Sequence, residues 1–316
     1  MPGHSPSSDE EVLVDHTHNR FIGATLCTIS AAGFASLSIL GKLAFEAGLN
    51  LVTILSLRFG VAALLLAISL KVIKRQRLFL GWRVTIPLIL LGSLGYAGQS
   101  TLYFASLERN SASLNSMLLY VYPVFVALLG WAFHHKRPRQ REIGAMVIST
   151  TGVTLIVSGD ALRLSMTGSV DPSGIVLVLA SAAWYAVYIV SSDRYVHIAG
   201  PWVSTTWIAL GAGVSFLLMG VFTRGIDFRL NTEATMILMG MVLLSTIMAL
   251  GTFLAGMRRV GPTTASLLST LEPVFTVILA LFFLNEHLSL LQLLGGGLVL
   301  TAVILLTLPE GNKVNI

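Results

Sequence analysis

Residues 120–133, YVYPVFVALLGWAF, are followed 150 positions later by a related stretch, TLEPVFTVILALFF, at residues 270–283. The two share the tripeptide Pro-Val-Phe and, without a gap, a later leucine and a final phenylalanine. At the same shift, residues 30–42 align with residues 180–192, and both of these stretches are rich in small residues. The sequence therefore predicts a chain built of two related halves.

The composition predicts that the chain lies in a lipid bilayer. Of its 316 residues, 54% are hydrophobic and only 11% are charged, and the mean hydropathy is +0.81. A soluble domain carries about 25% charged residues, because it needs them to cover its surface. The net charge of +5 does not indicate a nucleic-acid partner, since most Lys and Arg lie in short gaps between apolar runs. The single cysteine, Cys27, excludes an intrachain disulfide.

Ten apolar runs are long enough to cross the membrane, which takes about 20 helical residues for about 30 Å of hydrocarbon. The runs are continuous, whereas a transmembrane β-strand alternates apolar and polar residues. We therefore expect an all-α membrane protein with ten transmembrane helices. The predicted helices lie at residues 21–43, 51–72, 85–106, 111–133, 142–158, 173–192, 202–222, 235–257, 262–284 and 289–308.

The charges between the runs predict the orientation in the membrane. If the N-terminus is cytoplasmic, 14 Lys and Arg lie in cytoplasmic segments and five lie outside, and Arg58 falls inside a helix. Positive residues concentrate on the cytoplasmic side of membrane proteins. We therefore expect a multi-pass protein of the cell (inner) membrane with both termini in the cytoplasm.

Each half contains five predicted helices, which is an odd number. The second half therefore enters the membrane from the opposite side, and the halves form two inverted repeats around a central cavity, an arrangement that supports alternating access. The predicted organisation is a disordered cytoplasmic tail, two five-helix repeats and a short cytoplasmic tail, at residues 1–20, 21–158, 173–308 and 309–316.

Short motifs in both halves resemble the drug/metabolite transporter (DMT) superfamily, in its ten-helix EamA-type branch. They are Tyr103-Phe-Ala-Ser-Leu107, Tyr120-Val-Tyr-Pro-Val-Phe125, Leu271-Glu-Pro-Val-Phe275, Phe283-Leu-Asn-Glu-His-Leu288 and the glycine-rich last helix from Gly295. The resemblance implies export or exchange of amino acids or related metabolites across the cytoplasmic membrane.

Two departures from the family pattern limit what the resemblance carries over. The family's glutamate after the Pro-Val-Phe helix is present as Glu286, but the first half has Lys136 there. The first helix also lacks the membrane glutamate with which four-helix multidrug relatives exchange protons for cationic drugs.

Two charged residues lie deep in predicted helices, where a charge is costly and indicates function. Arg58 lies about eight residues into the second helix, and Glu272 lies near the middle of the ninth. Either contacts the substrate, or the two pair with each other and are structural. We expect Glu272 to line the cavity and either to bind a cationic group or to carry a coupling proton.

Further candidates surround these two charges. Pro123 and Pro273 lie at equivalent positions inside helices, where a proline permits a kink that is either a gating hinge or static. Lys42, at the outer end of the first helix, either extends its ammonium group to the interface or lines the outer mouth of the cavity. Aromatic and amide side chains on the third, fourth and sixth helices are predicted to bind the substrate: Tyr96, Gln99, Tyr103, Asn115, Tyr120, Trp184 and Tyr188.

The sequence therefore favours a transporter over the other classes of function. A nucleotide-sugar or sugar-phosphate antiporter is the alternative, but it needs several basic residues in the cavity. An intramembrane enzyme needs clustered His, Asp or Glu at helix depth, and the sequence predicts no catalytic residue, no metal site and no cofactor. A scaffold is a third class. The expected partners are a small-molecule substrate and the bilayer, and proton coupling and a monomeric or homodimeric state are left open.

Overall fold

The computed structural model describes residues 8–107, 109, 118–134, 138–163, 171–223, 225–227, 230–283 and 289–307. Within these ranges the regular structure is helical and contains no strand. The α-helices are α1 (Ser8–Glu46), α2 (Leu51–Ile68), α3 (Trp82–Leu90), α4 (Ala97–Leu107), α5 (Tyr122–His134), α6 (Gln140–Arg163), α7 (Pro172–Ala199), α8 (Pro201–Thr223), α9 (Thr232–Gly240), α10 (Ala249–Val260), α11 (Pro262–Leu268), α12 (Glu272–Phe283) and α13 (Leu290–Thr307).

Three segments of wider, π-helical structure join or extend these helices. Ser69–Ile73 continues α2, Leu91–Tyr96 joins α3 to α4, and Met241–Met248 joins α9 to α10. The latter two begin 150 residues apart. A π-helical turn frees backbone groups from regular pairing and occurs frequently at functional sites.

Polar side chains and prolines define where several helices begin. The Asn50 side chain accepts a hydrogen bond from the Thr53 backbone N–H at 2.9 Å, and Asn231 accepts one from Ala234 at 2.7 Å. Asp171 caps α7 by accepting from the Ser173 N–H at 2.8 Å, and hydrogen bonding to the Ser173 side chain and backbone lowers the pKa of the Asp171 carboxyl. Such caps satisfy N–H groups that lack a partner within the helix.

The described part of the chain contains seven continuous helical stretches that are long and apolar enough to cross a membrane, and some of them combine two named helices with the π-helical or 3₁₀ segment between them. Their spans are His18–Glu46, Leu51–Ile73, Pro172–Ala199, Pro201–Thr223, Thr232–Val260, Pro262–Leu279 and Leu290–Thr307. The chain is thus a largely helical multi-span protein. The number of ten helices and the inverted repeat stay predictions at this stage.

The first helix is longer than the sequence predicted. It begins at Ser8 and therefore includes most of residues 1–20, for which we expected a disordered tail. The boundaries between tail and repeats stay predictions.

The packing of the helices follows the 150-residue repeat. When each helix of a packed pair is replaced by its counterpart in the other half, the result is again a packed pair. α1 packs on α10, and α4 packs on α7. Likewise α5 packs on α7, and α12 packs on α1. Two further pairs, α2 with α8 and α6 with α13, join each helix to its own counterpart. Neither half therefore forms a separate unit, because helices of one half are covered by helices of the other.

Glycines allow several of these pairs to approach backbone to backbone. A Cβ atom at Gly152 of α6 would lie 2.6 Å from the carbonyl oxygen of Gly295 in α13, and a Cβ at Gly295 would lie even closer to the carbonyl oxygen of Gly152. A Cβ at Gly92 would collide with the carbonyl oxygen of Ile208, and one at Gly211 would collide with that of Ile89. Small residues at helix contacts permit this packing in membranes.

We expect Gly92→Ala to destabilise the protein by about 1–3 kcal/mol, because the added methyl group meets backbone that cannot rotate away. The matched control is Gly297→Ala, since a Cβ at that helical glycine meets nothing within 4 Å. Thermal unfolding in detergent measures both. Equal melting temperatures for the two variants would show that the close approach at Gly92 is not a structural requirement.

Candidate functional site

A cavity of about 580 Å³ lies among helices of both halves. Its wall is mainly apolar, but it also presents a guanidinium, a carboxylate, an amide and several hydroxyl groups. The polar and aromatic lining residues are Phe45, Arg58, Tyr96, Gln99, Ser100, Tyr103, Phe104, Tyr120, Glu272 and Thr276. A few polar groups in a largely apolar concave wall are typical of a small-molecule site.

The cavity lies toward one end of the bundle. In α1 it contacts Leu37, Gly41 and Phe45, which are late in the helix and near the connection to α2. The other end is filled by the largest cluster of buried apolar side chains, which includes Cys27 and Leu268. The cavity is therefore closed toward the end where α1 begins.

Arg58 is 2% exposed, and its guanidinium is held by the π-helical segment Met241–Met248. Its Nε donates to the Thr246 Oγ1 at 2.6 Å, and its Nη2 donates to the Ser245 carbonyl oxygen at 3.4 Å. The guanidinium carbon lies 4.6 Å from the centre of the Phe59 ring, a cation–π distance. These contacts fix the position of the charge beside the cavity.

Glu272 is the first residue of α12 and is partly exposed to the cavity. The Tyr120 side chain interacts with its carboxylate. Pro273 follows directly and also lines the cavity, and a 3₁₀ turn, Ser269–Leu271, precedes α12. The helix is therefore interrupted just before the carboxylate, at the boundary between the cavity and the closed end.

Arg58 and Glu272 contribute to the same cavity without forming an ion pair within the described part of the chain. The guanidinium is bound by hydroxyl and carbonyl groups, and the carboxylate is bound by a tyrosine. The sequence left open whether these two residues pair. The structure instead leaves each charge on the cavity wall with protein partners of neutral character.

Aromatic rings form a continuous series between the two charges. Tyr96 packs edge-on against Phe59, with ring centres 5.2 Å apart, and lies 5.8 Å from Tyr188. Tyr188 stacks on Tyr185 at 5.8 Å. Tyr185 lies 4.9 Å from Tyr122, which lies 6.5 Å from Tyr120. The series ends at Tyr120, the partner of Glu272.

Gln99 is positioned from both sides. Its side-chain Nε2 donates to the Ser181 Oγ at 3.1 Å, and the Ser181 hydroxyl donates to the backbone carbonyl oxygen of Gln99 at 3.0 Å. The Ser100 hydroxyl donates to Gln99 Oε1 at 3.3 Å. The amide is thus fixed at the wall by α7, a helix of the other half.

The structure brings seven of the predicted residues to this cavity and separates others from it. Arg58, Tyr96, Gln99, Tyr103, Tyr120, Glu272 and Pro273 line it.

Trp184 and Tyr188 line a second cleft of about 380 Å³ between α3, the π-helical segment Leu91–Tyr96 and α7. Trp184 is 46% exposed at the outer surface and donates to the Leu94 carbonyl at 2.9 Å. Tyr188 is buried behind Tyr96.

Three predicted residues remain. Pro123 is the second residue of α5 and is outside the cavity lining, although the chain turns at residues 120–121 just before that helix. The backbone of Lys42 belongs to α1, but its side chain lies outside the described residues, as does all of Asn115.

The comparison with known proteins gives the family directly. The EamA-like transporter family matches residues 21–158 and again residues 172–308. The chain belongs to the EamA-like transporter family. As an EamA-like transporter it is a multi-pass membrane protein, and the family model matches the chain twice.

Its relatives include transporters of bacteria and archaea. It is 23% identical over 252 residues to the uncharacterized transporter YyaM of Bacillus subtilis strain 168, covering 78% of this chain and 81% of YyaM. It is 28% identical over 231 residues to an uncharacterized transporter of Archaeoglobus fulgidus, covering 70% and 76% of the two chains. A protein of known crystal structure shares the fold, with a TM-score of 0.72 over 92% of this chain and 96% of its own, at 16% identity.

The sequence reasoning missed several parts of the transporter's cavity. Ser100 and Thr276 add hydroxyl groups to the wall, and Thr246 with Ser245 holds Arg58 from behind. Ser and Thr occur throughout the apolar helices and often bond their own helix, as Thr276 does to the Glu272 carbonyl at 3.0 Å. A hydroxyl in a membrane helix therefore gave no signal that distinguished these residues.

Proposed function

We propose that this EamA-like transporter carries amino acids or closely related zwitterionic metabolites across the cytoplasmic membrane, by export or exchange. The observation that supports this is a single cavity with a guanidinium and a carboxylate on its wall. Arg58 binds the carboxylate of the substrate, and Glu272 binds its ammonium group. Each protein charge then gains the counter-charge that it lacks in the described structure.

The rest of the cavity suits a substrate of this size and kind. A volume of about 580 Å³ is within the range of about 300–1,000 Å³ for small-molecule sites. Tyr96, Tyr103 and Tyr120 offer apolar faces with hydroxyl tips, and Gln99 offers an amide. This wall accepts an apolar or aromatic side chain between the two charged ends.

The alternative substrates fit less well. A sugar phosphate or nucleotide sugar brings at least two negative charges, and among the described lining residues Arg58 is the basic one, while Glu272 would repel the phosphate. An intramembrane enzyme or a scaffold finds no support in the relatives, which are transporters.

The architecture that we propose is ten transmembrane helices in two inverted five-helix repeats. The exchange of helix pairs by the 150-residue shift supports it, because a two-fold relation between halves generates such matched pairs. Two capping contacts also recur at this shift. The Arg139 N–H donates to the Glu142 carboxylate, and the Ser289 N–H donates to the Gln292 amide oxygen.

The distribution of positive residues supports cytoplasmic termini, which turns the cavity toward the outside. The packed cluster around Cys27 then closes the cytoplasmic side. We infer that transport alternates between this outward-open arrangement and one in which the cytoplasmic side opens. Because the chain turns just before Pro123 and Pro273, these two positions are the hinges of that motion.

Counterflow into proteoliposomes tests the substrate class. Vesicles loaded with a panel of unlabelled amino acids should accumulate a labelled member of the accepted set. The panel also contains, for each accepted amino acid, the decarboxylated amine and the deaminated acid, both expected to exchange at least 10-fold less well. Exchange of nucleotide sugars, or equal exchange of amine, acid and amino acid, would contradict the proposal.

Thiol labelling tests which side the cavity faces. A cysteine at Thr276 should react with a membrane-impermeant thiol reagent from outside the cell, and added substrate should slow the reaction. The native Cys27 is fully buried and serves as an unreactive background. Ala265→Cys, in the packed end, is the matched control. Faster labelling of the Thr276→Cys variant from the cytoplasmic side of inverted vesicles would contradict the orientation.

A further inference from the structure

The segment Met241–Met248 holds Arg58 through two hydrogen bonds, and these bonds decide which N–H groups of the guanidinium are left for a ligand. An arginine side chain has five N–H donors in a rigid planar fork. Nε and one N–H of Nη2 lie on the same edge of that fork, and both are engaged by this segment, through Thr246 Oγ1 and the Ser245 carbonyl.

Three N–H donors remain, and two of them, one on each Nη, lie at the tip of the fork. The Tyr96 side chain also interacts with the guanidinium. Two parallel N–H groups match the two oxygens of one carboxylate. The bonds to Thr246 and Ser245 therefore hold the fork by one edge and leave its tip for a substrate carboxylate.

Thr246 is itself fixed, which makes it an effective anchor. Its hydroxyl donates to the Met241 carbonyl oxygen at 3.1 Å, five residues earlier, while its oxygen accepts from Arg58. The neighbouring Ser245 Oγ lies 2.9 Å from the Ser36 Oγ of α1, and Ser36 Oγ donates to the Gly33 carbonyl at 2.7 Å. Hydrogen bonds of Ser36, Ser245 and Thr246 therefore tie α1, the π-helical segment and Arg58 together.

We propose that Thr246 is a positioning residue for the substrate carboxylate, acting through Arg58, and that it sets the preference for amino acids over their decarboxylated amines. This inference rests on the proposed function. Without the Thr246 hydroxyl, the Nε–H has no acceptor in a buried site, and the guanidinium rotates to find one. The charge stays in the cavity, but its fork no longer meets both oxygens of a carboxylate.

The test compares Thr246→Val, which removes the hydroxyl at nearly constant shape, with Thr246→Ser, which retains it. Thr252→Val is the matched control, because Thr252 is also buried and its hydroxyl donates at 2.7 Å to Met248 on the same helical run, away from Arg58. The Michaelis constant, the maximal rate and the ratio of Michaelis constants for amino acid and amine are measured by counterflow.

For Thr246→Val we expect a Michaelis constant for the amino acid about 10-fold higher, a maximal rate within about twofold of wild type, and an unchanged Michaelis constant for the amine. Thr246→Ser and Thr252→Val should both resemble wild type. If Thr246→Val does not accumulate in the membrane, Thr246→Ala takes the same measurements.

Two results would overturn the inference. One is a Thr246→Val variant that keeps the wild-type preference for amino acid over amine. The other is an equal loss in Thr252→Val, which would mean that any buried hydroxyl on this run matters. Failure of the proposed function gives a different result, since the wild-type protein itself would then not distinguish amino acid from amine.

Discussion

Glu272→Gln is expected to reduce transport of a zwitterionic amino acid by about 10- to 100-fold, because a charge-assisted hydrogen bond in a buried site contributes about 1.5–3 kcal/mol. The amide keeps the size of the side chain but cannot neutralise a substrate ammonium group. The deaminated acid, which has no ammonium group, should lose much less. The measurement is the initial rate of counterflow for both compounds at two pH values.

The two pH values separate the two roles considered for Glu272. If the carboxylate also carries a coupling proton, the wild-type rate depends on pH and the rate of the variant does not, because an amide does not titrate. Glu233→Gln is the matched control, since Glu233 is an exposed carboxylate in the first turn of α9. Full transport by Glu272→Gln with an unchanged pH profile would show that Glu272 neither binds the substrate nor carries a coupling proton.

Arg58→Gln is expected to reduce transport of the amino acid at least as much as Glu272→Gln does. It should spare the decarboxylated amine, whereas Glu272→Gln should spare the deaminated acid. Removing the guanidinium should lower the affinity for the amino acid about 100-fold or more, because the substrate carboxylate would lie unpaired in a buried site. The affinity for the decarboxylated amine should fall far less. Arg58→Lys keeps the charge but loses the planar fork, so we expect an intermediate loss. Counterflow of the amino acid and the amine measures both variants.

A purely structural role for Arg58 predicts a different pattern. Thr246 and the Ser245 carbonyl would then lose their partner, and the protein would unfold at lower temperature whatever the ligand. Thermal unfolding is therefore measured with Arg83→Gln, an exposed arginine, as control. A large loss of stability in Arg58→Gln with equal losses for amino acid and amine would favour the structural role over the binding role.

The sequence predicted the helices well because hydrophobic length and repeat are strong signals. Most predicted spans correspond to described helices, and Leu51, Pro201, Pro262 and Leu290 begin helices within one residue of the predicted positions. Arg58 and Glu272 could also be singled out, since a charge far from a helix end is rare. In the structure both line one cavity, and what they bind stays a prediction.

Other features could not be predicted from the sequence, because the lipid-facing and cavity-facing sides of a membrane helix are both largely apolar. Trp184 is an aromatic residue well inside a predicted helix, as a cavity residue would be, yet it is half-exposed at the outer surface. The π-helical segments change which side chains face inward, and no residue pattern in Leu91–Tyr96 or Met241–Met248 marks this change.

The contact between Gly152 and Gly295 has a mechanical consequence for any transport cycle. Two backbones that already touch cannot be compressed, and no side chain at that point can change rotamer to let one helix slide over the other. We therefore expect α6 and α13 to keep this contact during transport and to move as one unit, while the rearrangements take place in other parts of the bundle.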